Sequence, residues 1–301
     1  MGEISDIDYS LLAATSDNFI RLETLNEANN RVSNAITKLP IFRHYDIDEV
    51  IHSSSDGQKF ETKPDIHSID KHGTNEVNFF ILNFFGYQFA PRYKDIYDKI
   101  GKSLYGFNHP SQYGDVLIKP IRKINSALIV EELENIQRII LSLALKTQSI
   151  IIGKLSDYVR KNKTKRALWE YDNIIKSLYF LDYIDSLSLR RNVQRALNRG
   201  ESYHKLRRAI SHANFGKLRF KTEQEQNIFG ECNRLLANCI IYYNTSILSN
   251  MLAYREANGK DSDVLKHISP VAWQHINLYG RYNFNTSWES INMDAIILEL
   301  D

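Results

Sequence analysis

Apolar residues recur at helical spacing along most of this chain, and short β-prone runs interrupt them in its first third. The first helical run begins near Ser16 and predicts a single amphipathic helix that Pro40 closes. A short apolar helix is predicted from Val77 to Phe85. Gly86 ends it, because glycine readily takes the conformation of a helix terminus.

The pattern becomes almost wholly helical from Asn125 onward. We expect Gly200 to break this run, so that a new helix opens at Glu201. The last long helix is predicted from Glu223 to about Asn258, where Gly259 stops it.

Strand signals fall at residues 49–60, 65–69 and 102–107. The pattern therefore predicts an α/β fold that is mostly helical, in which a large all-helical insertion interrupts a small core. No Gly/Ser-rich linker or repeat divides the chain. The predicted parts are an amino-terminal helical arm at 1–45, the first part of the core at 46–124, the helical insertion at 125–199, and a segment at 200–301 with the helix of Glu201 and the carboxy-terminal helices.

Composition is that of an ordinary soluble globular protein. The 301 residues are 43% hydrophobic and 25% charged, enough for one large core or two domains. The most apolar segment, Ile139 to Ile152, is too short to cross a bilayer and contains Lys146. The acidic amino terminus lacks the layout of a signal peptide, so we expect a cytoplasmic protein with no membrane partner.

The formal net charge of +2 conceals an uneven distribution. Residues 1–55 hold four basic and nine acidic side chains, whereas residues 146–221 hold eighteen basic and six acidic ones. A basic helical block of this size supplies phosphate contacts that release counterions, so we expect a polyanion as partner. A solvated helix surface is the alternative that charge alone leaves open.

Three carboxylates occur where metal chemistry places its ligands. Asp56 follows one β-prone run, Asp70 follows a second, and Glu201 lies at the predicted start of a helix. Oxygen ligands held at the ends of rigid elements suit a pair of divalent cations. Each also has a plainer role, since aspartate favours turns and glutamate complements a helix amino terminus.

Five short sequence motifs occur in this order along the chain: Ser53–Gln58, Gly86–Arg92, Leu197–Glu201, Leu248–Tyr254 and Ile268–Gly280. Together they resemble the carboxy-terminal catalytic domain of the Tn3 family of replicative, cointegrate-forming transposases. The resemblance covers most of the chain, from about Glu23 to about Tyr282. A single Ser-Asp-Gly tripeptide would not identify a family, but five motifs in the family's order are a specific signal.

This resemblance implies a DDE transposase with a ribonuclease-H-like core, whose Asp, Asp and Glu bind two magnesium ions that manganese can replace. By motif these ligands are Asp56, Asp70 and Glu201. One metal ion activates the nucleophile and the other stabilises the leaving oxygen, about 3.5 to 4 Å away. The implied activity is DNA cleavage and strand transfer, with transposon ends and target DNA as partners and a nucleoid-associated state when DNA is bound.

Basic side chains near these motifs are candidate contacts for the DNA backbone. His204, Lys205 and Arg208 follow Glu201 by three, four and seven residues, which places all four on one helical face. An ion pair between Lys205 and Glu201 is the alternative. The other candidates are Arg92, Arg160, Lys161, Lys163, Lys165 and Arg166.

Three histidines, His52, His67 and His72, lie near the two aspartates and invite comparison with a zinc site. No cysteine is near them in sequence, and their spacing matches no common zinc signature. We therefore expect them to be solvated or to face DNA.

The link between the first two carboxylates departs from the family pattern. Asp56 and Asp70 are only fourteen positions apart, whereas the implied fold joins their parallel strands through two further strands and a helix. The segment Thr62–Asp65 reads as if about thirty residues had been deleted. We expect an antiparallel hairpin, or a changed strand order with an uncovered edge, and therefore no DNA cleavage by the chain as it stands.

The sequence leaves three functions open. The first is a transposase that carries this deletion and lacks the amino-terminal region with which the family recognises transposon ends. The second is a non-catalytic remnant that binds DNA or joins a full-length transposase or another copy of itself. The third is a helical protein with no role at nucleic acids, in which the basic block is surface charge alone.

Overall fold

A computed structural model describes residues 7–47, 52–55, 66–69, 77–144, 162–211, 222–278, 280 and 292–300. The chain forms two compact units. One unit is the segment Ile47–Gly200, and the other combines Met1–Asp46 with Glu201–Asp301. The second boundary falls inside one continuous helix, Leu187–Ile210.

Helices make up most of the described residues, and the strands are short. The α-helices are α1 Tyr9–Phe19, α2 Leu22–Thr37, α3 Asn78–Phe84, α4 Ile96–Ser103, α5 Ser126–Glu131, α6 Leu133–Ala144, α7 Lys163–Asp185, α8 Leu187–Ile210, α9 Glu223–Ala257, α10 Asp263–His267 and α11 Met293–Leu300. The strands are β1 His52–Ser55, β2 Ile66–Ile69, β3 Gln88–Phe89, β4 Tyr105–Gly106 and β5 Arg122–Lys123. Within these ranges, no helix is long and apolar enough to span a membrane.

Three strands of the unit 47–200 form one parallel sheet in the order β1-β2-β3. β1 pairs with β2 along its whole length, and at the last position Ser55 lies opposite Ile69. β2 pairs with β3 on its other side, where the amide of Ala90 donates to the carbonyl of His67 at 2.8 Å. A second, two-stranded parallel sheet joins β4 to β5. The described chain is therefore α/β with small parallel sheets and a helical majority.

The parallel pairing of β1 with β2 corrects one of the two expected arrangements, the antiparallel hairpin. The other, a changed strand order with an uncovered edge, stays a prediction. The hairpin was expected because the connection length usual for parallel strands is about a dozen residues or more. Each strand here is only four residues long. The connection therefore has to run back only about 13 Å, the length of one strand, before β2 begins. Ten residues, 56–65, span up to about 33 Å when extended. The short link is therefore compatible with parallel neighbours, and the loss of DNA cleavage expected from it no longer follows from its length alone.

Aromatic side chains pack the sheet against α3 and α7. Phe79 of α3 meets Phe89 of β3 edge to face, with ring centroids 4.8 Å apart, and Tyr179 of α7 lies 5.5 Å from Phe79. The hydroxyl of Tyr179 donates to the carbonyl of Pro91 at 2.8 Å. Because Tyr179 is only 3% exposed, this bond fixes the backbone directly after β3.

The other unit is organised around α9. The fully buried amide of Asn29, on α2, donates to the carboxylate of Glu231 on α9 at 3.0 Å. Further along α9, the side-chain amide of Asn244 donates to the carbonyls of Pro270 and Ala272 at 2.8 and 2.6 Å. These bonds anchor the last of the five sequence motifs, Ile268–Gly280, to the long helix α9.

Four predicted elements outside α8 can be compared with the structure. The short helix that follows Val77 and the long helix that starts at Glu223 are confirmed, and Gly259 stops the latter with a φ of +66°. The single helix expected from Ser16 to Pro40 is instead two helices, α1 and α2. The strand expected at 102–107 is limited to β4, because α4 continues to residue 103.

Gly200 does not open a helix, which corrects the predicted position of Glu201. Both residues lie inside α8, so Glu201 belongs to the helix interior rather than to its first turn. A glycine inside a helix costs only about 1 kcal/mol relative to alanine. Buried residues on both sides of it, Leu197 at 6% and Leu206 at 0% exposure, hold α8 in place and outweigh that cost.

Candidate active site

The carboxyl ends of β1 and β2 define the first part of the candidate site. Ser55 and Ile69 are register partners at the last position of these parallel strands. Asp56 and Asp70 come next in sequence and lie outside the described residues. The described strands therefore bring together the two positions that immediately precede the predicted carboxylates.

Arg92 follows the neighbouring strand β3. Its backbone position depends on the bond between Tyr179 and Pro91, and its side chain is half-buried. One guanidinium nitrogen, Nη1, donates to Oε1 of Gln194 on α8 at 3.3 Å. Because Gln194 is exposed, this contact connects the end of β3 to the solvent-facing surface of α8.

One face of α8 carries Glu201 in a row of exposed polar residues. Helical spacing aligns Gln194, Asn198, Glu201, Lys205 and Arg208, and all five are exposed. The side-chain amide of Gln194 donates to Oδ1 of Asn198 at 2.7 Å, one turn before Glu201. His204, beside this row, is half-buried. The predicted grouping of Glu201 with three basic residues thus lies on one helix, as its spacing indicated.

The carboxy-terminal end of α8 is fixed to α9 by a clamp around Arg207. Its Nε donates to Oδ1 of Asn233 at 3.1 Å, and its Nη2 donates to the carbonyl of Gly230 at 3.3 Å. The amide of Asn233 returns a bond to the carbonyl of Arg207 at 3.1 Å. Arg207 therefore has a structural role, whereas Lys205 and Arg208 on either side of it are exposed.

The predicted basic contacts of α7 differ in accessibility. Lys163 is exposed and pairs with Glu131 at 2.6 Å, and Arg166 is exposed. Lys165 is only 8% exposed and its ammonium lies 4.8 Å above the ring of Trp169, so it is poorly placed to meet a phosphate. Two further candidates lie outside the described residues, Arg160 and Lys161.

His67 is buried, which corrects the expectation that all three histidines are solvated or face DNA. It is 9% exposed within β2, and its ring lies 6.4 Å from that of Phe89. Burial disfavours the charged imidazolium and lowers the pKa of His67 below its usual value. The histidine at position 72 and the side chain of His52 lie outside the described residues.

The buried imidazole predicts a pH dependence of stability. Between the lowered pKa of folded His67 and its pKa of about 6.5 in the unfolded chain, the unfolded state binds more protons. The free energy of unfolding therefore decreases as pH falls through this interval and levels off below it. Urea denaturation midpoints at a series of pH values measure the effect.

The variant His67→Gln should flatten this pH profile, since glutamine does not titrate. His109→Asn is the matched control, because His109 is exposed in the same unit and asparagine retains a capping acceptor. Identical pH profiles for the unmodified chain and His67→Gln would show that another group controls the dependence.

Two functional candidates escaped the sequence analysis, Gln194 and Asn198. Neither belongs to a charged or metal-binding motif, and only helical spacing from Glu201 on an unbroken α8 could have singled them out. The predicted break at Gly200 concealed that spacing. Among the residues that the structure describes, no three His, Cys, Asp or Glu side chains are grouped to hold a metal ion, and two of the three predicted ligands lie outside them.

Comparison with known sequences covers nearly the whole chain. The profile of the family described as "Tn3 transposase DDE domain" matches residues 1–66 and 61–282. The chain is 35% identical over 223 residues to the transposase for transposon Tn1546 of Enterococcus faecium, which is 73% of this chain and 22% of that protein.

Two further relatives are similar over comparable lengths. The transposase for transposon Tn21 of Escherichia coli is 29% identical over 81% of this chain and 24% of its own length. The transposase for transposon Tn501 of Pseudomonas aeruginosa is 30% identical over 73% of this chain and 22% of its own length. The chain thus spans less than a quarter of the length of these relatives.

Proposed function

The chain belongs to the Tn3 transposase DDE domain family, and on that premise we propose that it performs metal-dependent cleavage and strand transfer of DNA in replicative transposition. The proposed metal-binding and catalytic residues are Asp56, Asp70 and Glu201. Transposon ends and target DNA are the proposed substrates, and the DNA-bound chain would be associated with the nucleoid of a bacterial cytoplasm.

The pairing of β1 with β2 is the observation that supports this proposal most. Ser55 and Ile69 are partners at the ends of parallel strands, and the next residues in sequence are Asp56 and Asp70. In open α/β sheets, ligands bind beyond the carboxyl ends of the strands. We interpret the three parallel strands as part of a ribonuclease-H-like core, interrupted by the helical segment 125–199.

The chemistry of the donor set fits magnesium. Asp56, Asp70 and Glu201 offer hard carboxylate oxygens, which Mg²⁺ prefers to nitrogen or sulfur, and the same oxygens suit Mn²⁺. Two bound ions would supply an activated nucleophile and stabilise the leaving oxygen of a phosphodiester.

The side chains around Glu201 would hold the DNA backbone. Lys205 and Arg208 are exposed one and two turns beyond Glu201 on α8, and His204 lies beside them. Arg92 carries five N–H donors, so its bond to Gln194 and a bond to phosphate are compatible. Guanidinium groups bind phosphate through paired donors, which orients the strand as well as attracting it.

A non-catalytic DNA-binding module is the second candidate, and one observation favours it. The family profile matches in two segments that meet at residues 61–66, within the link between Asp56 and Asp70. A deletion in this link would leave the ligands in the sequence but loosen their geometry, and catalysis tolerates displacements of only about 0.5 Å. Such a chain would bind DNA, or join a longer transposase or another copy of itself, without cleaving.

Manganese binding tests the proposed ligand set directly. We expect titration calorimetry to show uptake of Mn²⁺ by the unmodified chain and its loss in Asp56→Asn, because an amide removes both the charge and a strong oxygen ligand. Asp98→Asn is the matched control, since Asp98 is an exposed carboxylate of the same unit that pairs with Lys102 at 2.6 Å. Equal Mn²⁺ uptake by all three proteins would contradict the assignment of Asp56.

A further inference from the structure

The loop between β4 and β5 exposes an unusual amount of apolar surface. This β4–β5 loop, residues 107–121, contains four large apolar side chains that are at least 42% exposed: Phe107 at 57%, Val116 at 47%, Leu117 at 101% and Ile121 at 42%. Single exposed apolar residues are ordinary on protein surfaces, but several in one short loop indicate a binding surface.

The β4–β5 loop is a built structure, because hydrogen bonds close its base. The amide of Ile121 donates to the carbonyl of Leu104 at 2.9 Å, and the amide of Ile124 donates to the carbonyl of Gly106 at 2.8 Å. The hydroxyl of Tyr113 accepts from the amide of Asn108 at 3.1 Å. The tip at Leu117 is therefore presented from a closed base rather than from a loose chain.

Two glycines shape the loop. A Cβ at Gly106 would lie 2.2 Å from the hydroxyl oxygen of Tyr113 and 2.9 Å from Pro120, so glycine permits the close packing at the base. Gly114 has φ +63° and ψ −149°, a conformation that is essentially restricted to glycine. It turns the chain directly before Val116 and Leu117 and so directs the two apolar residues to the tip.

Basic residues accompany the apolar tip. The β4–β5 loop together with β5, residues 107–123, contains three basic side chains and one acidic one, Asp115. Lys119 and Lys123 are exposed close to Leu117 in sequence. Arg122 lies 4.4 Å above the ring of Tyr105 and contacts both carboxylate oxygens of Glu170, at 3.0 and 3.1 Å, so it stiffens the loop base.

We propose that Leu117, supported by Val116, is an apolar wedge that inserts between adjacent base pairs of DNA while Lys119 and Lys123 contact the flanking phosphates. This inference rests on the proposed function, which makes DNA the partner. Proteins that kink DNA commonly insert leucine or a similar side chain into one base step and neutralise phosphates beside it. Lys119 and Lys123 outnumber Asp115, and this basic balance favours DNA over an apolar protein surface, which would not call for lysines beside the tip.

Insertion has an energetic consequence that can be measured. Opening a base step costs free energy, and burial of the leucine side chain offsets that cost. The wedge therefore contributes most to binding where DNA is easily unstacked. It also leaves a local signature, namely loss of stacking around the base step that it enters.

The test uses the full chain and a duplex that contains 2-aminopurine, whose fluorescence rises when it is unstacked. We expect the unmodified chain to raise the fluorescence and Leu117→Ala to abolish the rise, with about tenfold weaker binding, the effect of one lost apolar side chain. Leu117→Phe should retain the signal, because phenylalanine also serves as a wedge. Leu141→Ala, at a leucine that is 59% exposed on α6, is the matched control and should behave like the unmodified chain.

Three results would overturn the wedge. The first is DNA binding by the unmodified chain with no change in 2-aminopurine fluorescence. The second is an equal rise with Leu117→Ala. The third is a change of oligomeric state in Leu117→Ala, measured by light scattering with DNA binding unaltered, which would make the tip a contact between protein chains. Failure of the proposed function gives a different result, namely no DNA binding by any of these proteins even at low salt.

Discussion

The Asp56→Asn variant is expected to lose metal-dependent DNA nicking, by about a hundredfold or more relative to the unmodified chain. The substitution removes one ligand of the proposed ion pair, and even groups that only orient metal ligands are worth about 10- to 100-fold. Nicking of supercoiled plasmid in Mg²⁺ or Mn²⁺ measures the rate. Asp70→Asn and Glu201→Gln should be as severely affected, because the three carboxylates act together.

Asp98→Asn provides the control for general damage from removing a carboxylate in the same unit as Asp56. Full nicking by Asp56→Asn would remove this residue from the site. Mn²⁺ binding without nicking by the unmodified chain would favour the non-catalytic module. In that case, insertion of about thirty residues between Thr62 and Asp65, the length of two strands and a helix, should be necessary for activity.

The sequence predicted the sheet elements that precede the carboxylates but misjudged how they pair. The β-prone runs before Asp56 and Asp70 do contain β1 and β2. The expected antiparallel hairpin was wrong because a typical connection length was applied to strands of only four residues. Strand length depends on where pairing stops, and that is set by neighbours distant in sequence rather than by local pattern.

Burial explains the remaining differences around the candidate site. His67 and Lys165 lie in short polar or basic stretches of sequence, yet tertiary packing buries both side chains. Gly200 was expected to break a helix, but buried residues on both sides of it hold α8 as one element. In contrast, the row formed by Glu201, Lys205 and Arg208 depends only on helical spacing, and the sequence was sufficient to predict it.

DNA affinity is expected to fall by about 1000-fold or more between about 50 and 200 mM salt, if the basic helices make six or more phosphate contacts. Exposed basic residues on α7 and α8 are numerous enough for this: Lys163, Arg166, Arg191, Arg195, Arg199, Lys205 and Arg208. Each contact releases condensed counterions, so the logarithm of the binding constant falls linearly with the logarithm of salt concentration. Fluorescence anisotropy with duplexes of unrelated sequence should give similar slopes.

The double variant Lys205→Ala with Arg208→Ala assigns part of this slope to the face of α8 that carries Glu201. Each lost phosphate contact should reduce the slope by about 0.9, so the double variant should be shallower by about 2. Lys38→Ala is the control, because Lys38 is exposed but belongs to the acidic amino-terminal segment. A slope that is unchanged in the double variant would place the DNA elsewhere on the chain. A flat salt dependence of the unmodified chain would mean that the basic block is surface charge alone.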